Sequence, residues 1–375
     1  MPRQIYIRPL DLKHGRIDMS HGAGGRAGAQ LVEELFLRHL DNPFLRQGDD
    51  GAVLPAPTLE KGEKGARLEL NEALNSNQAP FSPTIGERLV LSTDCHVVSP
   101  LFFPGGDIGC LAVHGTLNDV AMMGARPLAL TAGFVIEEGF ALADLDRIVA
   151  SMAAAARAAG VPVVAGDTKV VERGKGDGVF ITTTGLGVVP AGVELAGTRA
   201  RPGDAILLSG SIGDHGMAIM SQRENLAFEG PIVSDSAALH TLVAAMLETG
   251  ADLRCLRDPT RGGLATTLNE IARQSSVGML LDEPAIPVQP AVAAACEFLG
   301  LDPLYVANEG KLVAIVAAAD ADRVLAAMRA HPLGAAAVRI GSVQADPGHF
   351  VQMTTCLGGR RNVDWLSGEQ LPRIC

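Results

Sequence analysis

Apolar and polar positions along the chain switch between two periods, and the switches mark alternating strands and helices. In LVEELFLRHL (31–40) apolar residues recur at helical spacing. Residues 88–92 alternate as a strand that delivers Thr93 and Asp94 at its end. CLAVHGTLNDVAMMG (110–124) returns to helical spacing; Gly124 suits a left-handed C-terminal cap and Pro127 follows just beyond. A second strand is predicted over 128–136. Asp144 then caps a helix that places Leu145, Ile148, Val149 and Met152 on one face and ends at Gly160. VPVVA (161–165) reads as a short buried strand running into GDTK (166–169), and 179–189 as a long one. After the turn Arg201-Pro202-Gly203-Asp204, AILLSGSIGDHG (205–216) repeats the order of strand, glycine-rich turn and helix. Helices are expected at roughly 236–249, 262–273, 290–299 and 320–330, with strands near 312–317 and 337–343.

Strands alternating with helices define an α/β layering, and 375 residues exceed one compact core. The division expected is an N-terminal segment 1–85, with a glycine-rich loop and a polar insertion at 55–85, then one domain over 86–200 and a second over 201–345. Residues 346–375 lose periodicity and read as a mobile tail ending in LPRIC. Pro372 keeps that end extended, and Arg373 sets a positive charge near the Cys375 sulfur, which favours the nucleophilic thiolate.

Composition narrows the chemistry. A formal charge of −11, one tryptophan and two tyrosines leave little with which to bind a phosphate backbone or stack bases. The six cysteines form no C-x-x-C pair, which argues against a zinc site and a disulfide framework and for free thiols in a reducing compartment. Residues 1–20 lack a signal-peptide core and no apolar run reaches spanning length, so a cytoplasmic protein is expected.

SHGAGGRAG (20–28), with Gly24 and Gly25 at its centre, runs into a helix and offers backbone amides to an anion. Asp50, Asp94, Asp119 and Asp167 recur beyond strands or in turns, and Asn118 adds a neutral oxygen. Oxygen-only ligands suit Mg²⁺ held together with substrate phosphates, although each aspartate singly fits a turn or a cap. Lys169 suits a phosphoryl contact or a surface ion pair, and Glu309 in NEGK (308–311) a base or a solvated loop residue. His21, His96 and His215 lie in glycine- or aspartate-rich turns, and none is paired with a serine or cysteine at triad-like positions.

These strings, in the order SHGAGGRAG, GDDGAVL, STDCHVVSPLFFPGGDIG, GTLNDVAMMGARP, GDTKVVERGKGDG, LLSGSIGDHG, RDPTRGGL, NEGK and the terminal PRIC, resemble the HypE family of [NiFe]-hydrogenase maturation proteins. That family lies in the aminoimidazole-ribotide synthetase (PurM-like) superfamily. The resemblance covers nearly the whole chain and implies a two-domain PurM-like fold. It also implies a homodimer, with ATP in the N-terminal domain near the subunit interface. The implied activity is ATP-dependent dehydration of an S-carbamoyl group on Cys375 to S-cyanate, a source of the cyanide ligands of the hydrogenase iron. On this resemblance Asp50, Asp94, Asn118, Asp119 and Asp167, with Gly24 and Gly25, bind ATP. The four aspartates are the Mg²⁺ candidates, and Lys169 and Glu309 serve the dehydration. HypF is the implied carbamoyl donor and the HypC–HypD complex the implied cyanide acceptor. The alternatives are a small-molecule kinase or synthetase of the superfamily, selenophosphate synthetase-like or thiamine-monophosphate kinase-like, and a non-catalytic nucleotide-binding scaffold. The first of these usually carries a reactive cysteine near its N-terminus, whereas no cysteine precedes Cys95 here.

Overall fold

A computed structural model of the chain describes residues 9–11, 25–36, 52–55, 86–226, 228, 230–368, 371 and 373–375. Ahead of its first unit, α1 (Arg26–Leu31) passes into a π-helical turn at Val32–Phe36, and Arg26 pairs with Asp364 and Glu33 with Arg273. There follow β1 (Ala52–Pro55), β2 (Arg88–His96), the short β3 (Phe102–Phe103) and β4 (Gly106–Asp107), and α2 (Ile108–Met122). β5 (Arg126–Glu137), α3 (Leu142–Ala159), β6 (Val163–Val171) and β7 (Val179–Val189) complete it. The sheet order is β1-β2-β7-β5-β6, with β5 and β6 parallel and the other neighbours antiparallel.

α2 is the axis of this unit. Asp107 caps it, accepting from the backbone N–H of Gly109 at 2.7 Å and of Cys110 at 3.2 Å. Most of its length is buried, because one side packs on the sheet and another on α3. At Gly109 the approach is so close that a side chain would meet the Ile148 carbonyl. Gly124 at φ +72° and Gly160 at φ +69° close α2 and α3 in the left-handed region, as their positions in the pattern predict.

The second unit contains β8 (Ala205–Leu208), α4 (Asp214–Arg223), α5 (His240–Glu248), β9 (Leu253–Arg257) and α6 (Gly263–Ser275). It continues with β10 (Gly278–Asp282), α7 (Pro290–Leu299), β11 (Val313–Val316), α8 (Ala321–Ala330), β12 (Val338–Gln344), β13 (Val351–Thr354) and β14 (Arg360–Asn362). The order is β14-β13-β10-β12-β8-β11-β9. Central β8 is buried on both faces: Ile206 and Leu208 pack with Leu264 and Leu268 of α6, while Ala205 and Leu207 pack with Leu242 of α5 and Val324 of α8. Its four consecutive apolar residues therefore read as a run without alternation.

Four expectations change. The helix expected over 31–40 instead starts at Arg26, its described part ending at Phe36. Asp144 does not cap α3: Ala141 holds that position without a side-chain bond, and Asp144 sits in the first turn, where its charge still favours the helix dipole. GDTK lies inside β6, which runs to Val171. Residues 346–375 are not a free tail: β13 and β14 extend the second sheet, and the end of the chain is docked. Strand 351–354 pairs in parallel with β10, each residue with a partner 72 positions away that local periodicity does not reveal.

Candidate functional site

The chain's last residues lie between the two units, on the segment that follows β2. The Val97 N–H donates to the Cys375 carbonyl at 3.0 Å, and the Ser99 N–H donates to the Arg373 carbonyl at 3.1 Å. Ile374 is buried among apolar side chains around α2 and α3. Arg373 forms an ion pair with Asp177 and so does not supply the charge beside the sulfur. Arg261 does that instead.

Arg261 follows Thr260 and precedes Gly262 and Gly263, both at positive φ (+77° and +61°) ahead of α6. A Cβ at Gly263 would meet the backbone around Leu304, Tyr305 and Val306, so only glycine allows this tight entry. The pKa of the guanidinium that this turn presents is raised by negative charge when Cys375 ionises and, against the opposing effect of burial, by Asp94, Glu309 and Asp119. These groups share one site.

Glu309 is 2 % exposed. Burial pushes its carboxyl well above the usual carboxylate range, and Asp94, Asp258 and Asp235 push it further. Its Oε1 has no hydrogen-bond partner, and the Cys375 thiol bonds to the same carboxyl. Burial also raises the thiol, as does Glu309, against the opposing pull of Arg261. The docked sulfur is therefore a thiol, not the thiolate expected from a free tail. The Glu309 backbone is fixed on both sides: its N–H donates to Asp235 at 3.1 Å, and its carbonyl accepts from Asn118 at 3.1 Å. Lys311 pairs with Asp235 at 3.0 Å.

Asp94 and Asp119 come from adjacent elements, β2 and α2. Ser92 donates to Asp119 at 2.6 Å, and His96 Nε2 stands 3.5 Å from Asp94. His96 is buried, and neither ring nitrogen has a hydrogen-bond partner. Burial holds it neutral despite Asp94. A hollow over Gly115 in α2 joins these groups: a Cβ there would lie 3.0 Å from His96 Nε2, 3.3 Å from Asp94 Oδ2 and 3.7 Å from Glu309 Oε2.

Asn118 belongs to the frame of the site. It is wholly buried, its amide oxygen accepts from the Leu239 N–H at 2.8 Å, and its amide nitrogen donates to Ala237 and Glu309. Gly25 serves close packing, since a Cβ would sit 2.5 Å from the Leu366 carbonyl. Gly24, Asp50 and His21 lie outside the described residues.

Asp167 and Lys169 are not brought to the cluster. They pair with each other at 2.7 Å and are both about 70 % exposed. The ladder runs from Asp94 to Thr183, Ala132 and Gly166, three strand spacings or about 14 Å. Side chains in register share a face, so Gly166 faces the way Asp94 does, while Asp167 and Lys169 point to the opposite face. That face is open, with Leu91 and Val135 exposed, while on the helix-covered face β6 and α3 border a cavity of about 1250 Å³.

Among the described residues no three His, Cys, Asp or Glu side chains are grouped so as to hold a metal by themselves. Two carboxylates beside a hollow are what Mg²⁺ requires when substrate phosphates and water complete its shell, and Asp94 and Asp119 meet that condition. The sequence assigned no role to Arg261 or Gly115, and it named His96 without a partner. The doubled glycine after Arg261 was the available signal, since it marks a side chain presented by a forced turn.

A sheet-and-helix pair of units enclosing an acidic interdomain site matches the AIR synthase related proteins. Residues 75–189 match the N-terminal domain of that family and residues 201–354 the C-terminal domain. The chain belongs to the HypE family of carbamoyl dehydratases within this class. It is 66% identical to the carbamoyl dehydratase HypE of Cupriavidus necator over 370 residues, 99% of this chain and 98% of that protein. Two solved structures are similar throughout. A HypE–HypF complex aligns at TM-score 0.78 and 45% identity, covering 89% of this chain and 99% of that one. A hydrogenase maturation protein HypE in complex with ATP aligns at TM-score 0.75 and 50% identity, covering 95% and 99%. No helix among the described residues is long and apolar enough to cross a membrane.

Proposed function

We propose that this protein carries a carbamoyl group on Cys375 and dehydrates it to S-cyanate at the expense of ATP, in the cytoplasm. The observation that carries this reading is the terminal sulfur docked against Glu309, with Arg261 and Asp94 beside it. In the reaction the carbamoyl oxygen takes the terminal phosphoryl group of ATP, and ADP departs. The nitrogen then gives up both its protons, the carbon–oxygen bond breaks, and a carbon–nitrogen triple bond forms as phosphate leaves with the oxygen.

Each residue of the cluster fits a part. The Glu309 carboxyl, in contact with the sulfur, is placed to accept a proton from the amide nitrogen bonded one atom further on, and its raised pKa makes its ionised form a stronger base than an ordinary carboxylate. Arg261 balances charge on the transferred phosphoryl group. Asp94 and Asp119 would hold Mg²⁺, which when bound shields the phosphates during transfer. Enclosure between the units keeps water from the carbamoyl group, and the tether makes delivery effectively unimolecular. Asp167 and Lys169 act in this chemistry only if a second copy packs on the open face of the first sheet; the exposed apolar residues of that face support a homodimer.

The structure of a HypE–HypF complex supports HypF as the carbamoyl donor, and family membership supports the HypC–HypD complex as the cyanide acceptor. The small-molecule kinase and scaffold alternatives find no support in relatives that carry the dehydratase name over the full chain.

The test is the intact mass of the protein after incubation with the carbamoyl-transferring partner, carbamoyl phosphate and ATP. The expected result is an adduct on Cys375 that loses one water only when ATP is present. An adduct elsewhere, or none in the wild type, refutes the proposal.

A further inference from the structure

The tail is gripped by its backbone. Each of its last three carbonyls accepts from a fixed donor: Arg373 from the Ser99 N–H and from Arg223 Nη2 at 2.8 Å, Cys375 from the Val97 N–H, and Ile374 from His215 Nε2 at 2.8 Å. Arg223 also donates to the Ser99 carbonyl at 2.9 Å and 2.6 Å, tying α4 to the receiving segment. Of these donors only His215 is wholly buried, edge-on to Phe103 at 5.5 Å between ring centroids.

Its surroundings leave one tautomer. The Ile374 carbonyl can only accept, so Nε2 carries the proton. Nδ1 then accepts, and its partner at 2.8 Å is the Ser234 hydroxyl. Ser234 Oγ in turn accepts the Ser236 N–H at 3.1 Å, and the Ser234 N–H is fixed on the Pro104 carbonyl at 2.8 Å. The carbonyl thus fixes the tautomer, and the serine holds the ring with Nε2 toward the tail. The peptide plane gripped at Ile374 is the one that joins it to Cys375, so its orientation sets the direction in which the sulfur leaves the backbone.

We infer that His215, its ring held by Ser234, is a positioning residue that orients the Ile374–Cys375 peptide so that the sulfur-borne group meets Glu309. The inference rests on the reading of Cys375 as the group carrier, but the seat itself can be measured without that chemistry.

The test compares His215→Leu, which lacks a donor, with His215→Gln, which keeps an N–H near the position of Nε2. In the full-length protein bearing a free Cys375, the rate of alkylation by iodoacetamide reports undocking. Losing a buried donor whose carbonyl then goes unpaired should speed alkylation about 10- to 100-fold in His215→Leu and slow single-turnover dehydration by a similar factor. ATP affinity should be unchanged, and His215→Gln should return both rates to within a few-fold of wild type. A merely structural role would lower the thermal midpoint of both variants alike and give no rescue by glutamine. Alkylation of His215→Leu at the wild-type rate, or Gln and Leu behaving identically, overturns the inference. If His215→Leu does not fold, Ser234→Ala decides: it removes the bond that holds the ring and should raise the alkylation rate, and an unchanged rate refutes the role. If the wild type shows no dehydration, the functional reading fails while the alkylation arm still decides whether His215 seats the tail.

Discussion

Gly115 offers a separation of catalysis from stability, because it lies mid-helix in α2 and beneath the reacting groups. An alanine methyl there would stand 3.0 Å from His96 Nε2 and 3.3 Å from Asp94 Oδ2, closer than the roughly 3.5 Å at which such atoms attract best. The neighbours must yield by a few tenths of an ångström. Set against that cost, alanine is better than glycine in a helix interior by about 1 kcal/mol. The two effects are of similar size and opposite sign, so Gly115→Ala should change unfolding free energy by less than about 1 kcal/mol. The chemistry has no such compensation. The methyl fills the hollow between Asp94, His96 and Glu309, and a displacement of about 1 Å at a reacting centre can cost about 100-fold. Single-turnover dehydration of the carbamoylated protein, followed by mass, should therefore fall about 10- to 100-fold while urea unfolding is nearly unchanged. Dehydration at the wild-type rate would show that the reacting group does not depend on the positions of Asp94, His96 and Glu309 around Gly115 and would refute the roles proposed for Asp94 and Glu309.

Two further outcomes concern pH. Burial lowers His114 from 6.5 to about 4 in the fold, so the unfolded chain binds its proton more readily between those values. The stability this contributes is present above about 6.5 and is lost as pH falls toward 4, a difference worth about 3 kcal/mol; urea midpoints at pH 7 and 5 should differ, and should differ less in His114→Gln. The Cys375 thiol is raised when docked, so docking is favoured at low pH and weakened as pH rises past the free-thiol value of about 8.5. Its alkylation rate should keep climbing above that pH, whereas a plateau there would show a thiol that does not dock.

The layering was legible because α3 and β7 each have a buried face, which imprints a period on the sequence, and because Gly124 and Gly160 punctuate the helices. β6 was read short for the complementary reason. It is an edge strand exposed along almost its whole length, so no alternation marks where it continues through GDTK. Ladder register puts Asp167 and Lys169 on the face of the sheet opposite Asp94. Glu309 and Cys375 were legible as motif residues, yet their contact spans both units and is written only in the packing. Arg261 was hidden similarly: nothing local to RDPTRGGL says that its guanidinium ends beside the last residue of the chain. The expectation of a mobile tail failed on backbone hydrogen bonds, which leave no side-chain signature.

The central claim is that Glu309, in contact with the Cys375 sulfur, takes the proton that the carbamoyl nitrogen must lose. Glutamine preserves the shape and removes the base. The deciding measurement is the mass of the C-terminal peptide from carbamoylated wild type and Glu309→Gln after a single turnover with ATP. The account predicts loss of one water from Cys375 in the wild type and a persistent carbamoyl adduct in the variant, with ATP still bound. Equal loss of water in both proteins would contradict it.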